Sequence, residues 1–600
     1  MTLTRRAFVK AVAVVPVASY THSPFGKDTG APEQGALCPL RSFDFHDVRL
    51  LPGPLATQYR QTRDFYYGIS NDDILKGFRE YAGMPAPGKE LGGWCRRDAS
   101  EVFGQWLSGM SRMYRTTNDK KMKDKAEFLM REWGKTIGAG SGSGIAYYTE
   151  RKGHYLYDKN VCGLTDMAVF ADLPEAWKLL DRITDWAEKN LSRQRKVATS
   201  EQRQANFDGH SMEWYTLSEN LYRAWLASGN PRYGDFADLW RYDEYWSRFY
   251  TNAFPANVCH VHAYSHINSF SSAAMSYIAR GNVQYFNAAK NAFTYLVERQ
   301  SYATGSYGPA ETLVAPGELG HSLELRSDSA ECPCGAWAGF KLSQYLTMLT
   351  GQAFYGDLAE LLLYNVMRAA LPMSGNGKTF YYGDYRVGGG KKTYRWDTWP
   401  CCSGTFIQNV ASYSNFAYYY SGSNLYVNLF IPSEVAWNSL LVQQETHYPE
   451  SEEIAFTIRG TSPSEAMIHF RIPLWCNGAS LKVNGASLDT NCKPGSWAAL
   501  SRVWKDGDTV TLRLPMSLRA VPIDEQHPNR IALIYGPVVL AQDARVHQQF
   551  VPNCAPGVLE TQFARGDRPL EFIAGNQGRN RFRPFYAFEE VVPYWMYFDV

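Results

Sequence analysis

The chain has 600 residues, of which 45% are hydrophobic and 20% charged, with a formal net charge of +2. A chain this long exceeds what one compact core usually holds, so we expect two or more domains. The near-zero net charge excludes the strongly basic composition typical of nucleic-acid-binding proteins, and no nucleic-acid partner is predicted. Aromatic residues reach 14%, which suits either stacking on sugar rings or ordinary core packing.

Residues 1–30 have the pattern of an export signal. Arg5 and Arg6 are followed by Phe8, Lys10 and an apolar run over residues 11–18. The run is too short to span a bilayer, and paired arginines before it are typical of the twin-arginine route. An ordinary secretory signal or a lipid anchor is the alternative. We therefore expect export to the periplasm or the extracellular space, without stable membrane insertion.

Residues 38–70 begin with alternating apolar residues, which predicts a strand-like lead-in. Beyond it, apolar residues recur at helical spacing up to about residue 420, and turn signals separate many of the segments. The predicted helices cover residues 72–83, 99–116, 119–137, 174–191, 212–228, 231–248, 263–280, 283–299, 335–350, 353–371 and 404–420.

The order of these segments predicts the fold class. Helices in sequential antiparallel pairs would build an (α/α)6 toroid over residues 71–420. Periodicity alone also permits an α-solenoid, but no repeat consensus is visible in the sequence. Residues 421–600 change to short β-rich runs bounded by Gly, Pro, Asn and Asp, which predicts one or two β-sandwich domains. The expected architecture is multidomain, α plus β: a helical catalytic domain followed by β-sandwich modules.

Four of the 11 cysteines form two close pairs. Cys332 and Cys334 flank a proline directly after Glu331, and Cys401 is followed by Cys402. Thiolates and a carboxylate are suitable zinc ligands, and four ligands complete a tetrahedral site. Each pair precedes an amphipathic segment, so a helix N-terminus would favour the thiolate form. Two disulfides are the alternative interpretation.

A set of longer motifs spans residues 40–545. They are GHSMEWYTLSENLYRAWLASGNPRY from Gly209, HAYSHINS from His262, CGAWAGFKLSQYLTMLTG from Cys334, PCCSG at 400–404, LYVNLFIPS at 425–433, RIPLWCNGASLKVNG at 471–485 and IYGPVVLA at 534–541. Taken together they resemble the β-L-arabinofuranosidase group of cysteine glycosidases (glycoside hydrolase families 127 and 146). The resemblance implies a zinc-dependent retaining hydrolase with a glycoside or oligosaccharide substrate.

The resemblance also implies roles for the cysteines. Cys401 corresponds to the nucleophile and, with Cys402 and Cys334, to the zinc-binding thiolates. The family's zinc-binding carboxylate lies two residues before the cysteine that Cys334 matches, and this chain has Cys332 there. Either Glu331 reaches the metal from an altered turn, or Cys332 replaces the carboxylate and makes a site of four thiolates.

Retention by two displacements needs a carboxylic acid that protonates the leaving oxygen and later activates water. Glu311 is the preferred candidate, because it corresponds to the glutamate after the family's glycine-rich loop, and Glu318 is the alternative. The residues that match the family's sugar contacts are His210, His262, His266 and Trp94. Each histidine could instead be an ordinary structural residue.

The predicted function is an exported, exo-acting retaining glycosidase that uses Zn²⁺, a cysteine nucleophile and a glutamate acid/base. A polysaccharide lyase or unsaturated uronyl hydrolase shares the helical toroid, but it would leave the paired cysteines unexplained. A non-catalytic glycan-binding protein with structural zinc is a further alternative, which four thiolate ligands would favour, because structural zinc sites are closed. The sequence is also compatible with a homodimer.

Overall fold

The computed structural model describes residues 37–138, 153–193, 213–253 and 258–600, apart from positions 371, 372, 374, 376, 395–397, 547, 576 and 577. Strands β1 (Arg41–Ser42) and β2 (Val48–Leu50) are followed by helix α1 (Pro54–Gly68). The strand-like lead-in is therefore shorter than predicted, because Pro54 at the start of α1 presets the backbone for a helix. The predicted signal and His210 lie outside the described residues.

Helices dominate the chain up to residue 411. Apolar spacing does not predict α5, because it buries polar side chains such as Asp158, Lys159 and Asp166. The remaining helices are α2 (Asn71–Tyr81), α3 (Ser100–Thr117), α4 (Lys120–Thr136), α5 (Gly153–Phe170), α6 (Glu175–Asn190), α7 (Leu217–Ser228), α8 (Pro231–Asp238), α9 (Asp243–Trp246), α10 (Ala263–Arg280), α11 (Val283–Tyr295), α12 (Glu318–Leu325), α13 (Cys332–Thr350), α14 (Tyr355–Leu362) and α15 (Cys401–Ala411).

Six of these helices pack into a closed ring. Helix α3 contacts α5, which contacts α7, and the ring continues through α10, α13 and α15 back to α3. Each ring helix also contacts an outer helix, in the same order α4, α6, α8, α11, α14 and α1. Six inner and six outer helices are what the predicted toroid requires.

The ring encloses a cavity of about 510 Å³. Its wall includes charged side chains, and several of them are paired with one another. Lys159 lies 3.0 Å from the Asp158 carboxylate, and Lys341 binds Glu219. Pairing offsets the cost of burying these charges. It also explains why α5 lacks a simple apolar face.

A small sheet lies within the helical part of the chain. Its strands are β3 (Ala330–Glu331), β4 (Phe380–Gly383) and β5 (Thr393–Tyr394), with β4 in the centre. Strand β3 runs directly into α13, so the sheet sets where that helix begins.

Two further sheets pack face to face. The rings of Phe456 and Phe470 meet between them, with their centroids 4.9 Å apart. One has the order β1-β6-β7-β11-β14 and the other β13-β12-β15-β10-β9-β8-β2. The N-terminal strands thus complete both sheets of the sandwich. Its other strands are β6 (Tyr418–Ser421), β7 (Asn424–Val427), β8 (Ser433–Trp437), β9 (Leu440–Thr446), β10 (Glu453–Gly460), β11 (Ser464–Ile472), β12 (Ser480–Val483), β13 (Ala486–Leu488), β14 (Ser496–Trp504) and β15 (Thr509–Arg513).

The C-terminal strands form an eight-stranded sheet that rests on the helical domain. The Asn365 side chain bonds the Pro537 carbonyl and the Val539 N–H, both at 2.8 Å. Among the described residues, no helix is both long and apolar enough to cross a bilayer. The strands are β16 (Leu518–Pro522), β17 (Arg530–Tyr535), β18 (Val538–Asp543), β19 (Phe563–Arg565), β20 (Phe572–Ala574), β21 (Asn580–Pro584), β22 (Tyr594–Trp595) and β23 (Tyr597–Asp599).

A buried ion-pair network ties the helical domain to the sandwich. Arg471 of β11 is fully buried and binds the carboxylates of Asp357 and Glu360 on α14. Its Nε donates to the Asn428 carbonyl at 2.6 Å. Gly356 permits this approach, because a Cβ there would lie 2.2 Å from the Asn428 side-chain oxygen.

Candidate active site

Four side chains with metal-binding atoms meet where α13 and α15 begin. Glu331 is the last residue of β3, Cys334 lies in the first turn of α13, and Cys401 and Cys402 open α15. Their ligand atoms all lie within 4.8 Å of one another. The Cys402 Sγ is 3.4 Å from the Cys334 Sγ and 3.5 Å from the Glu331 Oε1. Both helix N-termini carry partial positive charge, which favours thiolates at these positions.

Cys332 lies outside this cluster, although it stands between two of its members in sequence. Its Sγ faces the Ala330 carbonyl at 3.6 Å, and burial raises the pKa of its thiol. Successive residues of a helix are rotated by about 100°, so residues 332 and 334 point in nearly opposite directions. The sequence predicts either Glu331 or Cys332 as the fourth ligand, and the structure places Glu331, not Cys332, beside the three thiols.

The cysteines are not cross-linked. All 11 lie in the described part of the chain, and every one is a free thiol. The sulfur–sulfur distances of 3.4 and 3.6 Å in the cluster far exceed the ~2.05 Å of a disulfide bond. The disulfide interpretation is therefore wrong. Three thiols and one carboxylate that converge within ligand distance are a donor set that suits zinc.

Cys401 differs from the other two thiols of the cluster in its exposure. It is half-buried, whereas Cys334 and Cys402 are fully buried. Hydrogen bonds from Cys334 and Cys402 lower the pKa of the Cys401 thiol well below its usual value, against the opposing effect of burial. The Tyr381 hydroxyl, 3.5 Å from the Cys401 Sγ, stabilises the same negative charge. Cys401 is thus the least buried cysteine of the cluster, and its surroundings favour the thiolate form.

Two consecutive tyrosines of β4 serve the site. Tyr381 contacts the Cys401 Sγ, and the Tyr382 hydroxyl donates a hydrogen bond to the Glu311 carboxylate. Neither tyrosine is predicted from the sequence. The chain contains 39 tyrosines, and no spacing distinguishes these two from the others.

Glu311 occupies a turn that is fixed by backbone hydrogen bonds. Its φ of 59° lies in the left-handed region, which is uncommon for glutamate. The next residue, Thr312, pairs with His262 in a β-bridge, and the Leu313 N–H donates to the Val261 carbonyl at 3.0 Å. These contacts hold the Glu311 Oε2 3.7 Å from the His262 Nε2.

His262 is buried among three carboxylates. Its Nδ1 lies 3.0 Å from the Glu213 Oε1, and its Nε2 lies 3.6 Å from the Glu331 Oε2. Burial alone would lower the pKa of His262, but the hydrogen bond with Glu213 and the charge of the nearby Glu331 carboxylate raise it well above its usual value. His262, Glu311 and Glu331 form a second group of converging ligand-type atoms. Because Glu331 belongs to both groups, it connects His262 and Glu311 to the cysteines.

His266 and Glu318 lie outside these two groups. The His266 ring is fully buried and packs on Tyr215 and Tyr245, with centroids 4.6 and 4.9 Å away. Its Nδ1 bonds the His262 carbonyl at 2.9 Å, which favours the structural interpretation of this histidine. Glu318 begins α12 and accepts the Ala315 N–H at 2.8 Å, so its carboxylate closes the turn that precedes this helix.

Trp94 lies next to the segment that leads into α15. Its backbone N–H donates to the Thr398 carbonyl at 3.0 Å, and its side chain is half-buried. Gly93 makes this approach feasible, because a Cβ there would lie 2.0 Å from the Thr398 oxygen. Trp94 is thus anchored to Thr398, which lies three residues before Cys401 in the chain.

Solved structures of similar fold cover almost the whole chain. A GH127 β-arabinofuranosidase aligns with a TM-score of 0.72 and 19% identity, covering 94% of this chain and 98% of the other. A GH127 β-L-arabinofuranosidase from Geobacillus stearothermophilus T6 aligns with a TM-score of 0.69 and 18% identity, covering 92% and 99%. A third structure, a glycoside hydrolase, has a TM-score of 0.68 at 16% identity, covering 94% and 98%. No curated protein matches the chain.

Family models match the sequence itself. The GH127 β-L-arabinofuranosidase catalytic domain matches residues 47–415, and the GH127 middle domain matches residues 424–516. With the helical ring and the thiol–carboxylate site, these matches define the protein as a glycoside hydrolase. More narrowly, the chain belongs to the GH127 β-L-arabinofuranosidase family.

Proposed function

We propose that this protein is an exported, retaining exo-glycosidase that acts on β-L-arabinofuranosides. Cys401 is the nucleophile and Glu311 the acid/base. The observation that carries the proposal is the unequal exposure of the clustered thiols. Cys334, Cys402 and Glu331 are buried, while Cys401 is only half-buried, and its pKa is lowered by its neighbours. A site built only to stabilise the fold would gain nothing from one incompletely buried cysteine.

The residues that would hold Zn²⁺ are Glu331, Cys334, Cys401 and Cys402. Their convergence within 4.8 Å and their chemistry fit this ion. When bound, Zn²⁺ would keep the sulfurs deprotonated at neutral pH and direct Cys401 toward the substrate. Because Cys332 faces away, the four-thiolate site that would favour a non-catalytic protein does not form.

The reaction proceeds by two displacements. The Cys401 sulfur attacks the anomeric carbon as the bond to the leaving oxygen breaks, and Glu311 gives that oxygen its proton. In the second step Glu311 takes a proton from water, whose oxygen attacks the same carbon. The carbon–sulfur bond then breaks and restores the thiolate. Two inversions leave the anomeric configuration unchanged.

The direct test is covalent trapping. An arabinofuranose-like electrophile should add one label per chain, and peptide mass spectrometry should place it on Cys401. The enzyme should also release L-arabinose from aryl β-L-arabinofuranosides. Labelling of any other residue, with Cys401 unmodified, would refute the nucleophile assignment.

A polysaccharide lyase is less compatible with these observations. A lyase would not need a nucleophilic sulfur, whereas the half-buried Cys401 and its Tyr381 partner provide one. Export by the twin-arginine route is part of the proposal and is tested separately. Replacing Arg5 and Arg6 by lysine should leave the activity in the cytoplasm.

A further inference from the structure

His262 has an unusual set of neighbours for a buried histidine. Three carboxylates face its two ring nitrogens: Glu213 at Nδ1, and Glu311 and Glu331 at Nε2. The Nδ1 distance of 3.0 Å is a hydrogen bond, whereas the Nε2 distances of 3.7 and 3.6 Å are ion-pair contacts. Glu213 is therefore the carboxylate that fixes how the ring is turned.

Glu213 is itself held in an uncommon conformation. Its φ of 43° and ψ of 35° lie in the left-handed region, which glutamate seldom adopts. It is 3% exposed and directly precedes the turn Trp214–Thr216 that leads into α7. A buried acidic side chain on strained backbone is kept in proteins mainly where the surrounding structure needs that side chain.

The other ring nitrogen stands between two groups that would otherwise repel. Oxygens of Glu311 and Glu331 come within 4.8 Å of each other and of His262. In the proposed reaction Glu311 must exchange protons while Glu331 stays an anionic ligand. The His262 Nε2 between them reduces their mutual repulsion, so that Glu311 can exchange its proton while Glu331 remains an anion.

We propose that Glu213 is a positioning residue that anchors His262 at Nδ1, so that Nε2 faces Glu311 and Glu331. The inference rests on the proposed function, because it assigns Glu311 the acid/base role. Glu213 does not touch the reacting atoms. Its effect reaches them through the orientation of His262, in the way that outer-shell partners orient ligands and acids.

The test compares Glu213→Ala with Glu213→Gln on aryl glycosides of graded leaving-group ability. Loss of the anchor should impair acid catalysis, so Glu213→Ala should lose about 10- to 100-fold in kcat on poor leaving groups and much less on activated ones. Glu213→Gln should recover most of this loss, because its amide oxygen still accepts the Nδ1–H. Glu213→Ala should also release zinc to a chelator faster than the wild type.

Glu219→Ala is the matched control. Glu219 is another buried glutamate six residues further along, and it is paired with Lys341 rather than with the site. Its loss should lower the melting temperature without changing the leaving-group dependence. The Ser265 hydroxyl, 2.9 Å from the same Nδ1, is the competing anchor, and Ser265→Ala should have the smaller effect.

A folded Glu213→Ala variant with wild-type leaving-group dependence and zinc retention would overturn the inference. So would a Ser265→Ala variant that reproduces the full signature. If Glu213→Ala does not fold, Glu213→Leu takes its place in the same comparison, because leucine is similar in length but cannot accept the Nδ1–H. Unimpaired Cys401→Ser or Glu311→Gln enzymes would instead overturn the proposed function itself.

Discussion

At the scale of single residues, Cys401 and Cys402 are adjacent but should respond differently to the same change. Cys401→Ser should fold and lose at least about 10³-fold in kcat, because a hydroxyl without thiolate character is a poor nucleophile. Cys402→Ser should lose zinc as well as activity, because the Cys402 sulfur is fully buried in the cluster. Steady-state kinetics and elemental analysis of the same samples measure both effects.

Cys476→Ser is the control for these variants. Cys476 is buried in the sandwich, where its Sγ faces the Pro515 carbonyl, and its replacement should leave turnover and zinc content unchanged. A Cys401→Ser enzyme with near-wild-type turnover would show that the nucleophile is another group.

Replacement of Glu311 by Gln should affect substrates according to their leaving groups. An activated phenolate departs without a proton, so its first step should survive while hydrolysis of the glycosyl-enzyme slows. Poor leaving groups should lose about 10²- to 10⁴-fold in rate. Azide, which attacks without a base, should restore turnover of the activated substrates.

Glu318→Gln is the comparison for this prediction. Glu318 closes the turn before α12 through the Ala315 N–H, so the effect of its replacement should not depend on the leaving group. If Glu318→Gln gives the leaving-group signature and Glu311→Gln does not, the acid/base role belongs to Glu318. If neither gives it, the acid lies elsewhere in the chain.

Spacing in the sequence singles out only part of this site. The two cysteine pairs stand out by their spacing, whereas Glu311 and His262 could be selected only through the resemblance to the glycosidase family. Glu331 could not be separated from Cys332, because the choice depends on the direction in which the first turn of α13 points each side chain. Tyr381 and Tyr382 lie on a strand between the two cysteine pairs, but no motif marks them, and only the three-dimensional structure shows that they reach the site.

At the scale of secondary-structure elements, the parallel pair β7–β11 predicts a pH-dependent stability. His469 of β11 stacks on Tyr426 of β7, with ring centroids 4.1 Å apart. Burial lowers the pKa of His469 to about 4, whereas a histidine in the unfolded chain titrates near 6.5. The unfolded state therefore gains a proton first as pH falls, and stability should be lost between about pH 6.5 and 4.

His469→Phe keeps an aromatic ring in the stack but removes the titration. The fall in melting temperature between pH 7 and pH 5 should be smaller by a few degrees in this variant than in the wild type. His321→Phe, at an exposed position, should keep the wild-type dependence. An identical pH dependence in all three proteins would contradict the assignment.

Apolar periodicity finds elements that have one polar and one apolar face. It predicts α2, α3, α4, α6 and α10 to within a few residues, because each presents a clear apolar side to the core. It misses α5, whose buried side includes charged groups, and it extends α15 to residue 420. The chain leaves that helix at Ala411 because residues 418–421 pair with β7 instead.

At the scale of the whole molecule, Arg471 should contribute strongly to the stability of the contact between the helical domain and the sandwich. Arg471→Met would leave Asp357 and Glu360 as buried charges without their partner, which typically costs about 3–5 kcal/mol in the free energy of unfolding. Urea denaturation measures the loss. Arg502→Met, which removes a contact with Asp508 at 3.5 Å and the position of the guanidinium over the Trp504 ring, should cost about 1 kcal/mol or less. Equal losses would mean that the network adds nothing beyond a surface ion pair.

The strands β1 and β2 give this protein an unusual order of assembly during synthesis. Arg49 of β2 meets Glu434 of β8, 385 positions later in the chain. On the ribosome, the earliest strands must therefore wait for partners that emerge after the entire helical ring has been translated. Such distant pairing slows folding and leaves strand edges uncovered meanwhile. A nascent chain that stalls anywhere before β6 thus carries two unpaired strands, and this makes it a natural client for chaperones that shield extended segments.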